Sequence, residues 1–276
     1  MKGLSLDGGG VLGVGQAEII SRVSDWSKFG FIGGVSIGAV NAAAIATGQS
    51  AHWIDQFDVI MPKIFAGRWW RRYYPVGPRY NDTDLNAELR KLFPGYLKNV
   101  SVPLFILASD MERRRIKVFS SLNRDDGEYR LWEVLRMSVA APTYFLPWNG
   151  MADGGVLANN PAIVAAAGVI DALPVKVEEI ELCSIGTGEC LGNANVGSTK
   201  RWTSLSWGIF LLQYLLDGAG NKMHDYFARR LPLKRYHRIQ FERNEGWELD
   251  NVEGMHEARV LWENQIIQGV KDVEAF

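Results

Sequence analysis

Short apolar runs at 3–6 and 30–35 alternate with stretches at 16–26 and 37–47 whose apolar positions recur at helical spacing, which predicts a β-α-β-α opening. Four further apolar runs, at 104–109, 117–120, 179–185 and 236–240, predict strands. Helical periodicity marks 84–92, 131–140, 161–171, 204–216, 221–230 and 253–268. Strands that alternate with helices along most of the chain predict one sheet with helices on both faces. The uncharged run 202–216 contains Thr203, Ser204, Ser206 and Gln213 and ends at Asp217. It falls short of the roughly 18 to 20 apolar residues a membrane span needs, so it predicts an amphipathic or core helix.

The 276 residues, 47% of them hydrophobic, can bury one sizeable core, and the 10 Pro and 29 Gly are scattered rather than gathered into a linker. A single domain over 1–276 is expected, with 67–80, dense in Arg, Trp, Tyr and Pro, as an irregular insertion. Thirty Lys and Arg against 31 Asp and Glu give a formal charge of −1, which argues against a nucleic-acid partner. Only two cysteines, Cys183 and Cys190, are present, too few for a disulfide framework, and a reducing, cytoplasmic setting is expected. The first residues lack the apolar stretch and cleavage site of a secretory signal, and the chain is expected to start on its first strand.

Gly34-Val35-Ser36-Ile37-Gly38 lies between a predicted strand and an Ala-rich predicted helix. Small residues on either side of a serine let the chain turn sharply and leave the hydroxyl exposed, the nucleophile-elbow pattern. Gly8-Gly9-Gly10-Val11-Leu12-Gly13 also follows a strand and fits the G-x-G-x-x-G fingerprint of dinucleotide binding. That reading needs an acidic residue at the end of the second strand, where this chain has Ser36. Gly8, Gly9 and Gly10 are therefore assigned to an oxyanion hole, in which consecutive backbone N–H groups turn toward one point.

A serine hydroxyl needs a group to accept its proton. His52, His224, His237 and His256 all lie outside Gly-rich turns and read as surface or structural histidines. Asp153 precedes Gly154-Gly155, a tight turn with room around the carboxylate, although an ordinary Asp-Gly turn has the same pattern. Asp7 is a second candidate carboxylate, expected instead to bond the backbone of its own loop. Asn160-Pro161 reads as an N-cap and first-turn pair that would start a helix soon after Asp153.

Taken together, these motifs resemble those of the patatin-like phospholipases, a family that combines a D-G-G-G loop, G-x-S-x-G and D-G-[GA]. The similarity extends to 140–145, 159–162, 184–188 and the stretch from 215 to 240. It implies a three-layer α/β/α sandwich, hydrolysis of membrane phospholipid esters without metal or organic cofactor, and a Ser-Asp dyad with Ser36 as nucleophile and Asp153 as proton acceptor. The chain departs from the family at Leu12, where the glycine loop usually carries Arg or Lys. Finally, Arg68-Trp69-Trp70-Arg71-Arg72-Tyr73-Tyr74 mixes cations with amphipathic aromatics, a composition suited to lipid headgroups, with Trp69 and Trp70 as the expected peripheral membrane contact.

Overall fold

The computed structural model describes residues 1–66, 77–190, 203–215, 220–243 and 248–276. The strands are β1 (Lys2–Leu6), β2 (Phe31–Val35), β3 (Leu104–Asp110), β4 (Arg115–Ser120), β5 (Met151–Asp153), β6 (Glu181–Ile185), β7 (Glu189–Cys190), β8 (Arg235–Ile239) and β9 (Glu242–Arg243). Seven form one mixed sheet in the order β4-β3-β2-β1-β6-β8, with β5 added on β3, and β7 pairs with β9 in a second, small sheet. The helices are α1 (Val14–Arg22), α2 (Ile37–Ala46), α3 (Trp53–Ile64), α4 (Asp82–Leu92), α5 (Arg124–Gly127), α6 (Leu131–Ser138), α7 (Gly155–Ala158), α8 (Ala162–Ala172), α9 (Ser204–Tyr214), α10 (Gly220–Ala228), α11 (Val252–Leu261) and α12 (Glu263–Ala275). Among the described residues, no helix is long and apolar enough to cross a membrane.

Side chains along a strand alternate between faces, and the two cores follow that alternation. Leu4, Leu6, Ile32 and Ile106 belong to the larger core with α1, α2, α3 and α12, whereas Phe31, Phe105 and Leu182 pack on the other face with α8. Helices therefore cover both faces, giving the three layers expected from the strand-helix alternation. α2 is buried along its whole length because its Ala-rich sequence lets it lie close against β1, β2 and β3.

Several elements differ from expectation. β5 has three residues, too few for alternation to show. α3 was not predicted; its apolar residues Trp53, Phe57, Ile60, Met61 and Ile64 lie at helical spacing, and Pro62 sits near its C-terminal end. The stretch expected as one helix over 253–268 is two, divided at Trp262, whose indole donates to the Glu242 carbonyl and whose ring stacks on Phe241 at 4.7 Å between centroids. Asn160 accepts from the Ala162 N–H at 3.0 Å, but the N-cap position of α8 is held by Pro161, which precedes the first helical residue instead of occupying it.

Candidate active site

β2 ends at Val35, opposite Leu107 of β3, and the chain turns at once into α2. At the turn Ser36 has φ 54 and ψ −129, a left-handed conformation that costs a non-glycine residue on the order of 1–3 kcal/mol. The neighbours hold it there: the Ser36 N–H donates to the Ser138 hydroxyl at 2.9 Å, and that hydroxyl donates to the Leu107 carbonyl at 2.7 Å. Gly38 permits the close approach of α2 to β1, since a Cβ there would fall 2.2 Å from the Leu6 carbonyl oxygen, and Gly34 is packed against Ala39 in the same turn.

β5 runs antiparallel along the edge of β3 just past the end of β2. Leu107 pairs with Val35 and the next residue, Ala108, pairs with Asp153. The tips of the two strands thus meet, and the Ser36 hydroxyl donates to Asp153 Oδ2 at 2.6 Å. The other carboxylate oxygen accepts from the Gly155 N–H at 2.7 Å, and the Asp153 carbonyl accepts from the Ser109 hydroxyl at 2.8 Å. Gly154 fits a close approach to the Leu107 carbonyl. Asp153 is 1% exposed, and burial pushes its carboxyl up to about 6 against the opposing bonds from Ser36 and Gly155.

The glycine loop arrives from β1. Gly8 donates its N–H to the Asn159 carbonyl at 3.0 Å, so that donor is already engaged. The Gly8 carbonyl accepts from Thr187 Oγ1 at 2.6 Å and from Asn159 Nδ2 at 3.3 Å. Carbonyl and following N–H point to opposite sides of a planar trans peptide, so these bonds turn the Gly9 N–H away from Thr187. The Gly9 carbonyl accepts from Leu12 N–H at 3.2 Å, which fixes the Gly10 N–H in the same way. Gly10 has φ +58, and Gly13 closes the short helical turn that follows. Among the described residues, neither Gly9 nor Gly10 donates its N–H, and both line the cleft that contains Ser36 and Asp153.

A buried polar network ties this loop to the helices. Gln16 donates to the Asp7 and Ile185 carbonyls, Asn41 donates to the Gly13 carbonyl and to Gln16, and Trp53 donates to Asn41 at 2.6 Å. Asp7 does not bond its own loop with its side chain, as the sequence had suggested. It forms a two-point ion pair with Arg238, at 3.0 Å on one oxygen, and Arg238 also reaches Ser184. Burial lowers the Arg238 guanidinium, but the Asp7 carboxylate outweighs it and holds the arginine firmly charged. Leu12 is buried in the larger core.

The cleft contains about 870 Å³ of space between α2, α3, α4 and the stretch 139–145. Ser36, Asp153, Gly9, Gly10 and Asn159 form one side, and Val40, Trp53, Phe57, Ile60, Leu85 and Leu89 are among the apolar residues of the rest. No histidine lines it among the described residues. His52 is highly exposed, and His237 bonds Asp272 at 3.1 Å. No group of three or more His, Cys, Asp or Glu converges among the described residues in a way that would hold a metal. Ser138, Ser109, Asn159, Thr187 and Arg238 all support the site; Asn159, Thr187 and Arg238 lie in stretches that resemble the family but had no role assigned to them, and Ser109 and Ser138 carried no signal in the sequence. Residues 68–74, with Trp69 and Trp70, lie outside the described residues.

A sequence model of the patatin-like phospholipases matches residues 4–166, a stretch that contains both Ser36 and Asp153. The cGAMP-activated phospholipase of Vibrio cholerae is 25% identical over 226 residues, covering 67% of this chain and 63% of that protein. The 85/88 kDa calcium-independent phospholipase A2 of Rattus norvegicus is 28% identical over 193 residues, covering 59% of this chain and 23% of that protein. This chain therefore spans less than two thirds of the length of these relatives. Among solved structures, VipD from Legionella pneumophila superposes with a TM-score of 0.50 at 16% identity, covering 98% of this chain and 67% of that one, a likeness of fold. With the family's match running over more than half its length, the chain belongs to the patatin-like phospholipase family.

Proposed function

We propose that the protein is a serine acyl hydrolase of the phospholipase A type, which cleaves ester bonds of membrane glycerophospholipids through the pair Ser36 and Asp153. The observation that carries the reading is the 2.6 Å bond from the Ser36 hydroxyl to a buried carboxylate at the side of an apolar cleft. The cleft walls suit an acyl chain, and the reacting carbonyl would sit where that chain meets Ser36.

In the proposed reaction, Ser36 Oγ attacks the ester carbonyl carbon while its proton passes to Asp153. Negative charge gathers on the carbonyl oxygen, where the N–H groups of Gly9 and Gly10 receive it; one such donor is typically worth about 2.7–4 kcal/mol of transition-state stabilisation. When the tetrahedral intermediate collapses, the lysolipid alkoxide leaves with the proton from Asp153, and the acyl group stays on Ser36. Water then attacks the acyl-serine, giving its proton to Asp153, and the fatty acid departs as the Ser36 hydroxyl is restored. Gly8 supports this loop through its bond to Asn159 and donates nothing to the oxyanion. The stretch 68–74 is proposed as a headgroup-level contact that brings the cleft to lipid, and a reducing compartment such as the cytoplasm suits the buried free thiol of Cys183.

Labelling with a fluorophosphonate, followed by lipid analysis of phosphatidylcholine vesicles exposed to the parent protein and to Ser36→Ala, tests the reading. Labelled Ser36, with fatty acid and lysolipid released by the parent alone, is the expected result. A protein that takes no label and releases nothing would be a non-catalytic binding protein that keeps the fold.

A further inference from the structure

The apolar cleft has a direction, which the helices around it define. α1 starts just after the glycine loop, and Ser21, close to its C-terminal end, accepts from the Ile54 N–H at 2.8 Å. Trp53 and Ile54 therefore lie at the end of α1 away from the glycine loop, while Ile64 and Phe65, at the other end of α3, share the cleft with Gly10 and Leu249. α2 descends from Ser36. Past the end of α2, Gln49 donates its amide to the Leu92 carbonyl at 3.1 Å, so α4 also finishes at the deep end. The cleft thus runs from Ser36 down to Trp53, Leu89 and Leu92.

Trp53 closes that end. It is 1% exposed and lines the cleft, and its Nε1 donates to Asn41 Oδ1 at 2.6 Å. Asn41 is itself tied to Gln16 and to the Gly13 carbonyl, so the indole is held at its one polar atom. On another side Phe93 packs against it, with 6.0 Å between ring centroids. Asn41 and Phe93 are both buried and both stand outside the cleft, which ends at the ring they support. The depth follows from α2: from Ser36 to Asn41 the helix rises about 7.5 Å. An extended hydrocarbon chain advances about 1.25 Å per carbon, given carbon–carbon bonds of roughly 1.5 Å at tetrahedral angles. That depth takes about six carbons beyond the scissile carbonyl, an acyl group of roughly six to eight.

We infer that Trp53 is the end stop of the acyl-chain subsite and sets the length beyond which added methylenes contribute nothing to recognition. The inference rests on the acyl-hydrolase reading. A short chain gains with each methylene it buries, whereas a longer one meets the indole and leaves the remainder outside the cleft. Of a membrane lipid's chain, only the part next to the ester is gripped.

p-Nitrophenyl esters from butanoyl to dodecanoyl test it. In the parent, kcat/KM should rise about fourfold with each added methylene up to about the octanoyl ester and stay level beyond it. Each profile is read relative to the same protein's butanoyl ester, so a general loss of activity from the missing Asn41 bond cancels. Trp53→Phe and Trp53→Leu should carry the rise further, by about two carbons for leucine. Leu89→Phe, which fills the deep end from α4 and keeps the indole bond, should end the rise earlier. A rise that continues through dodecanoyl in the parent overturns the inference. So does a levelling point that does not move in the folded Trp53 variants, or in Leu89→Phe where those fail to fold.

Calorimetric binding of butanoate through dodecanoate to Ser36→Ala protein separates this inference from the reading beneath it. If the parent hydrolyses no ester while affinity for these anions levels off at the same length and shifts with Trp53→Leu, the end stop stands and the hydrolase reading falls. If esters are hydrolysed with no levelling, the hydrolase reading stands and the end stop falls.

Discussion

Replacing Asp153 with asparagine separates the role of the carboxylate in chemistry from the cost of burying it. Asp153 is almost fully buried, and burial raises its carboxyl from an ordinary 3.8 to about 6. At 1.36 kcal/mol per pKa unit, that rise corresponds to about 3 kcal/mol of folding stability lost when the carboxylate ionises. The folded carboxyl holds its proton more tightly than the unfolded one, so between 3.8 and about 6 the native state binds more protons. Stability therefore falls as pH rises through this window; the contribution is fully present below 3.8 and gone above about 6.

An amide has no charge to bury, but it must still serve two donors, Ser36 and Gly155. In Asp153→Asn the amide oxygen can accept from Gly155, and the amide NH2 can donate to Ser36 Oγ once the hydroxyl rotates. The variant should thus be more stable than the parent well above pH 6, by about 1–3 kcal/mol, while ester hydrolysis falls to background because an amide cannot take the serine proton. Urea denaturation followed by circular dichroism measures the difference, which should shrink toward zero below pH 3.8. In the parent, kcat/KM should fall with a single-proton slope below about pH 6. A variant less stable than the parent at high pH, or a gain that does not change with pH, would refute the electrostatic account.

Removing His52, His224, His237 and His256 together should leave ester hydrolysis within about tenfold of the parent, whereas a Ser-His-Asp mechanism would lose on the order of 10³-fold or more from one of the four, read as kcat on a soluble ester. Trp69→Ala/Trp70→Ala should weaken hydrolysis of vesicles far more than hydrolysis of a soluble short-chain ester, and the vesicle rate of the parent should fall as salt rises; equal loss on both substrates would place the two tryptophans in a packing role.

The serine turn was legible in the sequence because its requirements are local: two small residues, a preceding apolar run and a following Ala-rich helix. The Asp-Gly turn at 153 was equally visible, but its contact with Ser36 was not, because the two are 117 residues apart and meet only through the register of β3. β5, the strand that makes this contact, is too short to show a period. Asp7 was misread for a related reason. A local Asx turn was the nearest partner its sequence offered, while the actual one, Arg238, comes from β8 at the far edge of the sheet. The exposure of Trp207, Leu211 and Tyr214 on α9 was hidden in an uncharged run, since composition alone does not tell which residues of a helix face outward.

A loop of glycines has no side chains with which to fix itself, so the placement of its donors must come from elsewhere in the chain. Thr187, Arg238 and Leu249 supply much of it: Thr187 bonds the Gly8 carbonyl, Arg238 pairs with Asp7, and the Leu249 carbonyl accepts from Val11 N–H at 2.8 Å. All three lie beyond residue 166, where the family match ends. Thr187→Val keeps the shape of the side chain and removes the hydroxyl, leaving the Gly8 carbonyl only its longer bond from Asn159 at 3.3 Å. The peptide between Gly8 and Gly9 is then free to rock, and the Gly9 N–H with it. If half of one donor's 2.7–4 kcal/mol is lost, kcat falls by about tenfold to thirtyfold, with little change in KM because the donor acts on charge that develops only in the transition state. Stability should fall by only about 1 kcal/mol, the usual value of one hydrogen bond. Thr187→Ser, which restores the hydroxyl, should recover most of kcat; a Thr187→Val protein with full kcat would show that the glycine loop is held without it.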